Sequence, residues 1–135
     1  MTQEEKQLLL QDLCARLPYG VYISPVDCGK AVLIGIKDGN PLLWDIIHKK
    51  EYDKPWDIEF VKPYLRPMSS MTEEECKELG DLPSTIENVG ETLPNIPYYI
   101  EVARPEQLDW LNANHFDYRG LIEKGLALEA PEGMY

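Results

Sequence analysis

The sequence predicts an α+β fold, in which a single domain contains a mostly antiparallel sheet of about four to five strands with about three helices packed on one side. Three observations lead to this prediction. Residues 3–16 repeat apolar side chains at helical spacing, residues 20–61 are rich in β-branched and aromatic residues, and 135 residues is the length of one ordinary domain. We therefore expect residues 1–135 to share one hydrophobic core.

The first predicted helix covers residues 3–16. Thr2 and Glu5 form a capping-box pattern, in which the hydroxyl and the carboxylate each accept a hydrogen bond from a free backbone amide of the first turn. Leu9 and Leu13 then lie on one face of the helix, and Pro18 stops the pattern because it cannot continue a helix. Both ends of this helix are therefore marked in the sequence.

Three strands are predicted after this helix. Residues 20–24 and 31–36 are apolar and β-branched and are separated by a polar segment, so they predict a hairpin. Residues 38–40, Asp-Gly-Asn, form a strong turn signal. The next run, residues 42–47, predicts a third strand, and a helix of the same length is the alternative that the pattern leaves open.

The segment that follows is charged. Residues 48–57 end their charged run at Pro55, which predicts an exposed and mobile loop. Ile58 and Phe60 alternate with polar residues ahead of Pro63, which predicts a fourth short strand.

The second half of the chain alternates between helices and loops. Hydroxyl residues before three glutamates predict a short helix over residues 73–79, because carboxylates are favoured at the positive end of the helix dipole. Residues 80–97 form a long polar stretch with several prolines, which is either a mobile binding loop or a tolerated insertion. We then expect a strand at 98–102, a helix from Pro105 to about His115, and an edge strand at 126–128.

Charge and cysteine content narrow the class of partner and the cellular compartment that we expect. The chain has 13 basic and 24 acidic residues, a net charge of -11, which disfavours direct binding to nucleic acid or to an anionic membrane. We expect a solvated acidic surface that aids solubility, and the alternative is a surface that binds a basic protein as partner. The oligomeric state is left open. Three widely spaced cysteines, with neither a secretory signal nor a membrane-spanning run, predict reduced thiols and a cytoplasmic protein.

Two stretches carry a resemblance, LRPMSSMTEEE at residues 65–75 and NHFDYRGLIEKGLALEAPEGMY at residues 114–135. They resemble a group of small proteins of unknown activity that are encoded by Bacteroides-type gut bacteria, their prophages and their mobile elements. The resemblance covers the second half of the chain well and the first half loosely. It implies a genomic setting, a gut bacterium or its phage, and it implies no chemistry.

Catalytic and metal chemistry find little support in the sequence. His48 and His115 are the only histidines, so a zinc site would need cysteines or carboxylates from distant segments, and we expect neither a metal nor another cofactor. Asp117 is expected to cap the next turn rather than to pair with His115. Cys28 lies in a predicted turn beside Lys30, which would favour its thiolate, and this leaves a small enzyme using carboxylates, His115 and Cys28 as one alternative.

Five residues are candidates for contact with a partner. Trp56 lies in the charged loop, where it has little core to enter, and Tyr118 with Arg119 form a possible stacking pair unless the arginine bridges to Glu123. Glu73 and Glu74 are expected on an acidic, solvated helix start.

The preferred hypothesis is a non-catalytic binding or regulatory protein that acts through an acidic surface and exposed aromatic residues. A narrower version is an acidic mimic of DNA, which would occupy the basic groove of a host nuclease or defence protein. A structural or oligomeric component is a third class, and it would show a large exposed apolar patch.

Overall fold

The structure is a computed structural model and describes residues 1–25, 30–79 and 104–135. Its regular elements are, in chain order, α1 (Gln3–Arg16), β1 (Tyr22–Pro25), β2 (Ala31–Lys37), β3 (Asn40–Asp45), β4 (Lys50–Glu51), β5 (Val61–Leu65), α2 (Glu73–Leu79), α3 (Pro105–Ala113) and β6 (Leu128–Glu129). The six-stranded sheet and the three helices of these residues confirm the predicted α+β class, with slightly more strands than expected.

Helix α1 begins and ends where the sequence indicates. The Thr2 hydroxyl accepts a hydrogen bond from the amide of Glu5 at 3.1 Å, and the amide of Thr2 donates to the Glu5 carboxylate at 3.0 Å. A short 3-10 turn, Leu17–Tyr19, follows the helix and leads into Gly20, whose φ of 68° lies in the left-handed region. Glycine adopts that conformation at no steric cost, so the chain turns sharply into β1.

The sheet has the strand order β4-β3-β2-β1-β5-β6, and all its pairs are antiparallel except β5 with β6. The predicted hairpin and the strand alternative for residues 42–47 are confirmed as β1, β2 and β3. Asp38 and Gly39 form the two-residue loop between β2 and β3, with φ values of 52° and 77°. This pattern is typical of the hairpin turn that matches the twist of the flanking strands.

Two predictions between residues 48 and 61 need correction. The predicted loop contains β4, whose Glu51 pairs with Trp44 in the sheet. The predicted strand at Ile58 is instead a 3-10 turn, Ile58–Phe60, and the strand begins only at Val61. The carboxylate of Asp57 accepts a hydrogen bond from the amide of Glu59 at 2.9 Å, which holds the chain in a turn where alternation suggested extension.

The two faces of the sheet differ. Along β2, β3 and β5, buried residues alternate with more exposed ones. The buried set includes Leu33, Leu43 and Val61 and packs against Leu9 and Leu13 of α1, forming the main core. The opposite face of β2 and β3 stays at least partly open to solvent, since Ile34 is 43% exposed and Trp44 is 37% exposed.

A second apolar cluster forms where α2 and α3 meet. Its buried members are Leu79, Leu111, Phe116 and Tyr118. The backbone of the segment after α3 joins this cluster to the sheet, because Phe116 forms a parallel bridge with Arg66, next to β5.

Several predictions fall outside the described residues: the turn at Cys28, the loop at 80–97 and the strand at 98–102. None of the helices within the described ranges is long and apolar enough to cross a membrane.

Candidate functional site

A buried ionic network ties α1 to the segment that follows α3. Asp12 is fully buried and receives two arginines, Arg16 Nε on Oδ2 and Arg119 Nη1 on Oδ1, each at 2.8 Å. Arg16, also fully buried, donates a further hydrogen bond from Nη2 to the carbonyl of Phe116 at 2.6 Å. The Asp12 carboxylate therefore binds two guanidinium groups, one of which lies more than 100 residues away in sequence.

Tyr118 and Arg119 belong to this network, so their predicted place on a partner-binding surface is wrong. Their exposed fractions are 1% and 8%. The Arg119 guanidinium does stack, 4.7 Å from the centroid of the Tyr118 ring, and the Tyr118 hydroxyl donates to Asn112 Oδ1 at 2.9 Å. Arg119 forms its ion pair with Asp12 and not with Glu123, the alternative partner named from the sequence. Asp12 lies on α1, far from Arg119 in sequence.

Asp117 caps the turn that follows it, as predicted. Its two carboxylate oxygens accept hydrogen bonds from the backbone amides of Leu121 at 2.9 Å and Ile122 at 3.0 Å. Burial raises the pKa of Asp117, while these amide hydrogen bonds act in the opposite direction. The carboxylate thus binds backbone amides instead of the neighbouring imidazole of His115.

His115 is buried and stacked. Its φ of 63° places it in the left-handed region, and its ring lies 3.7 Å from the ring of Tyr135, centroid to centroid. Its Nδ1 is buried without a hydrogen-bond partner among the described residues. Burial lowers the pKa of His115 to about 4, and the charges of Arg16 and Arg66 add to this effect. The imidazole is therefore neutral at pH 7.

Tyr135 continues this stack onto the sheet. Its ring lies 5.3 Å from that of Tyr22, and its hydroxyl accepts a hydrogen bond from the Tyr22 amide at 2.8 Å while donating to the Tyr64 carbonyl at 2.9 Å. The hydroxyl therefore bridges β1 and β5, and the HFDYRGLI block has a structural role: its residues 115–121 are all buried.

Trp56 is not the exposed anchor that its loop position suggested. Its side chain is half-buried and packs against the main core, and its ring meets Tyr52 edge-on with 5.5 Å between centroids. Its amide donates to the Pro41 carbonyl at 2.9 Å, so the loop folds back along β3 and brings the indole onto apolar surface. Composition alone does not reveal such a return of the chain.

The acidic start of α2 divides into two parts. Glu73 and Glu74 are exposed. Glu75 instead forms a two-pronged ion pair with Arg66, both contacts at 2.7 Å, and these hydrogen bonds lower the pKa of Glu75 to about 2. The Arg66 guanidinium also lies 4.1 Å from the centroid of the Phe116 ring. Only the first two glutamates are therefore placed to meet a partner.

One polar pair was missed by the sequence reasoning. Asp45, nearly buried, accepts hydrogen bonds from the amides of Ile47 and His48 at 2.9 and 3.2 Å, and its other oxygen lies 2.7 Å from His48 Nδ1. The hydrogen bond with His48 lowers the pKa of Asp45. The Asp-x-x-His spacing, just after a strand, was the available signal.

Metal chemistry gains no geometric support. Within residues 1–25, 30–79 and 104–135, no group of three or more His, Cys, Asp or Glu side chains is placed to hold a metal ion. Cys14 and Cys76 are exposed free thiols. Cys28 lies outside the described residues, so the alternative enzyme built on His115 and Cys28 stays a hypothesis.

The side of the sheet opposite α1 carries two exposed large apolar side chains, Ile34 on β2 and Trp44 on β3, and we call it the β2–β3 face. Tyr22, Val32 and Trp44 are directly paired across the three strands, and the Tyr135 ring stacks on Tyr22 at one end of this row. Ile34 lies at a bulge in β2, and the side chain of Leu42 covers Gly35, since a Cβ there would lie 3.0 Å from Leu42 Cδ1. The missing side chain at Gly35 therefore lets Leu42 lie flat on this face.

Charge is distributed unevenly along the chain. Residues 30–62, which contain β2, β3 and β4, hold six lysines and six carboxylates and are formally neutral. The whole net charge of -11 therefore comes from the remaining residues, among them α1, α2 and α3. The sheet order places β3 and β4 at one edge and β5 and β6 at the other. The helices α2 and α3, which follow β5 in the chain, each carry a net negative charge.

The comparisons with known proteins do not extend this description. No protein-family model matches the chain, and neither a curated protein nor a solved structure matches it.

Proposed function

We propose that this chain is a non-catalytic binding protein that meets a macromolecular partner through the β2–β3 face. The observation that supports this proposal is the exposure of Trp44 and Ile34 on the side of the sheet opposite α1, where Val32 pairs with Trp44. An exposed tryptophan and an exposed isoleucine on neighbouring strands give this face apolar surface, and exposed apolar surface marks interaction sites.

The energetics favour burial of this face. Removing apolar surface from water stabilises a complex by about 25 cal/mol per Å², and tryptophan is among the residues that dominate binding energies. Strand pairing holds the backbone of this face, so little backbone freedom is lost when a partner binds. Ile47, in the turn just beyond β3, is 67% exposed.

A second candidate function is an acidic decoy or mimic of DNA. The uneven charge supports it, because the net charge of -11 lies entirely outside residues 30–62. The exposed Glu73 and Glu74 on α2, together with Glu106 and Asp109 on α3, would present carboxylates to a basic protein. Such binding would weaken steeply with salt, whereas binding through the apolar face would weaken little.

A capture experiment with two matched variants separates these functions. The chain is immobilised and exposed to a lysate of a Bacteroides-type bacterium, the setting implied by the resemblance, and bound proteins are identified by mass spectrometry at low and high salt. We expect Trp44→Ala to reduce retention of the main partner by at least about tenfold, since truncation of a central aromatic residue costs about 2 kcal/mol or more.

The control is the double variant Glu73→Gln/Glu74→Gln, which leaves the sheet unchanged. If binding occurs through the β2–β3 face, this variant retains the partner as well as the parent chain does. Loss of the partner in the glutamine variant, with full retention by Trp44→Ala, would reject the proposal in favour of the acidic decoy.

A further inference from the structure

The side chain of Tyr135 lies in a slot whose walls belong to three other parts of the fold. Two rings stack on the Tyr135 ring, that of His115 at 3.7 Å and that of Tyr22 at 5.3 Å between centroids. At the inner end of the slot, the Tyr135 hydroxyl accepts a hydrogen bond from the Tyr22 amide at 2.8 Å and donates to the Tyr64 carbonyl at 2.9 Å. The slot therefore offers ring surface, one donor and one acceptor.

We propose that this slot is a binding site for a phenol, the group that a tyrosine side chain carries, and that Tyr135 is a displaceable occupant that closes it from within the same chain. The inference goes beyond the proposed function and does not depend on it, since the slot binds its ligand through His115, Tyr22 and Tyr64 and not through Trp44 or Ile34.

The chemistry at the inner end of the slot selects a hydroxyl. A hydroxyl both accepts and donates, so it satisfies the Tyr22 amide and the Tyr64 carbonyl at once. An ionised carboxylate can only accept, and an ammonium group can only donate. The flat ring of His115 stacks on an aromatic group with more contact than on an aliphatic alcohol. An aromatic hydroxyl compound is therefore the ligand that matches both the walls and the inner end.

Tyr135 can leave the slot without breaking a strand pair. The residue is 40% exposed, and residues 131–133 before it are exposed as well. The Ala130 amide donates to the Leu65 carbonyl at 2.8 Å and anchors the chain ahead of this segment. A movement of residues 131–135 beyond that hydrogen bond therefore opens the slot and leaves β5 and β6 paired.

The backbone groups at the inner end have a partner in both states. Ile23 pairs with Pro63 in the ladder between β1 and β5. Tyr22 and Tyr64 are therefore the next opposed residues, and the Tyr135 hydroxyl bridges them where the ladder would continue. When Tyr135 leaves, these two groups can hydrogen-bond to each other, to water or to the hydroxyl of another phenol. The open state thus avoids the cost of an unsatisfied backbone group.

Binding of p-cresol, the tyrosine side chain as a free molecule, tests the slot by NMR. In the variant Tyr135→Ala, p-cresol should shift the signals of the Tyr22 amide and the His115 ring. It should bind at least about tenfold more tightly than 4-methylanisole, its methyl ether, which cannot donate to the Tyr64 carbonyl. In the parent chain p-cresol should shift the same signals at higher concentration, because it must first displace Tyr135.

A peptide of residues 130–135, added to Tyr135→Ala, identifies the source of the phenol. If it binds more tightly than p-cresol, the ligand is the tyrosine of a polypeptide segment, and otherwise it is a small free phenol; both results support the slot. Equal affinity for p-cresol and 4-methylanisole, or shifts confined to other parts of the chain, would overturn the phenol site. Unchanged signals in the parent chain up to the solubility limit of p-cresol would show that Tyr135 is a fixed part of the fold.

The circular dichroism spectrum of Tyr135→Ala must match the parent spectrum. Where it does not, Tyr135→Phe takes its place, because this variant keeps the ring and loses only the hydroxyl. The phenylalanine ring has no hydrogen bonds to the inner end of the slot, so p-cresol should displace it at lower concentration than it displaces Tyr135. The same concentration for both proteins would contradict the role of the hydroxyl.

Discussion

Replacing Asp12 with asparagine is expected to lower the free energy of unfolding by about 3–5 kcal/mol, the usual cost of removing one partner from a buried charge pair. The substitution keeps the shape of the side chain but removes the only carboxylate that hydrogen-bonds Arg16 and Arg119 among the described residues. Both guanidinium groups would keep their charge, because arginine does not deprotonate in proteins. Urea unfolding followed by circular dichroism measures the change.

A matched control lies on the same helix. Glu4 is exposed near the start of α1, so Glu4→Gln should change the free energy of unfolding by no more than about 0.5 kcal/mol. A second test is the double variant Asp12→Asn/Arg119→Gln. The losses of stability caused by the two substitutions should not add, because the double variant leaves no arginine at position 119 without its carboxylate. A loss below about 1 kcal/mol for Asp12→Asn would show that the network contributes little to stability.

Lowering the pH from 6.5 to 4 is expected to remove up to about 3 kcal/mol of stability through His115. The pKa of this histidine falls from 6.5 to about 4 in the folded state. Between these values the unfolded chain binds a proton that the folded chain does not, so the unfolded state becomes more favourable as the pH falls. Above pH 6.5 neither state binds the proton, and the stabilisation is complete.

The variant His115→Asn isolates this effect. Asparagine tolerates the left-handed backbone at this position better than most residues, so the turn is preserved, while the titrating ring is removed. Its free energy of unfolding should depend less on pH between 6.5 and 4 than that of the parent chain. The raised pKa of Asp117 acts in the opposite direction in both proteins, so it cancels in the comparison. Parallel pH profiles for the two proteins would contradict the assignment.

Much of the secondary structure could be predicted because its signals are local. The capping box at Thr2 and Glu5, the turn at Asp38 and Gly39, and the hydrogen bonds between Thr72 and Glu75 at the start of α2 each act between neighbours within a few residues. The prediction of a strand at Ile58 was wrong for the same reason. The hydrogen bond from a backbone amide to the Asp57 carboxylate favours a turn, the apolar alternation favours a strand, and the sequence does not show which of the two is stronger.

The candidate site was harder to predict because burial depends on contacts between distant segments. Trp56 lies in a charged loop, yet the loop returns to β3 and buries much of the indole against the core. Tyr118 and Arg119 look like surface residues in sequence, yet Asp12 lies 107 positions from Arg119 and draws it inward. Trp44 lies in a predicted strand, and its exposure depends on which face of the sheet α1 covers.

The sequence by itself determined the fold class, the start and end of α1, the first two strands and the capping role of Asp117. Each of these follows from backbone geometry and hydrogen bonding over a few residues. The tertiary structure alone decided the strand order, the pairing of Asp12 with two arginines, the burial of the HFDYRGLI block and the position of the β2–β3 face. These features depend on which distant segments pack together when the chain folds, and local sequence patterns do not specify that packing.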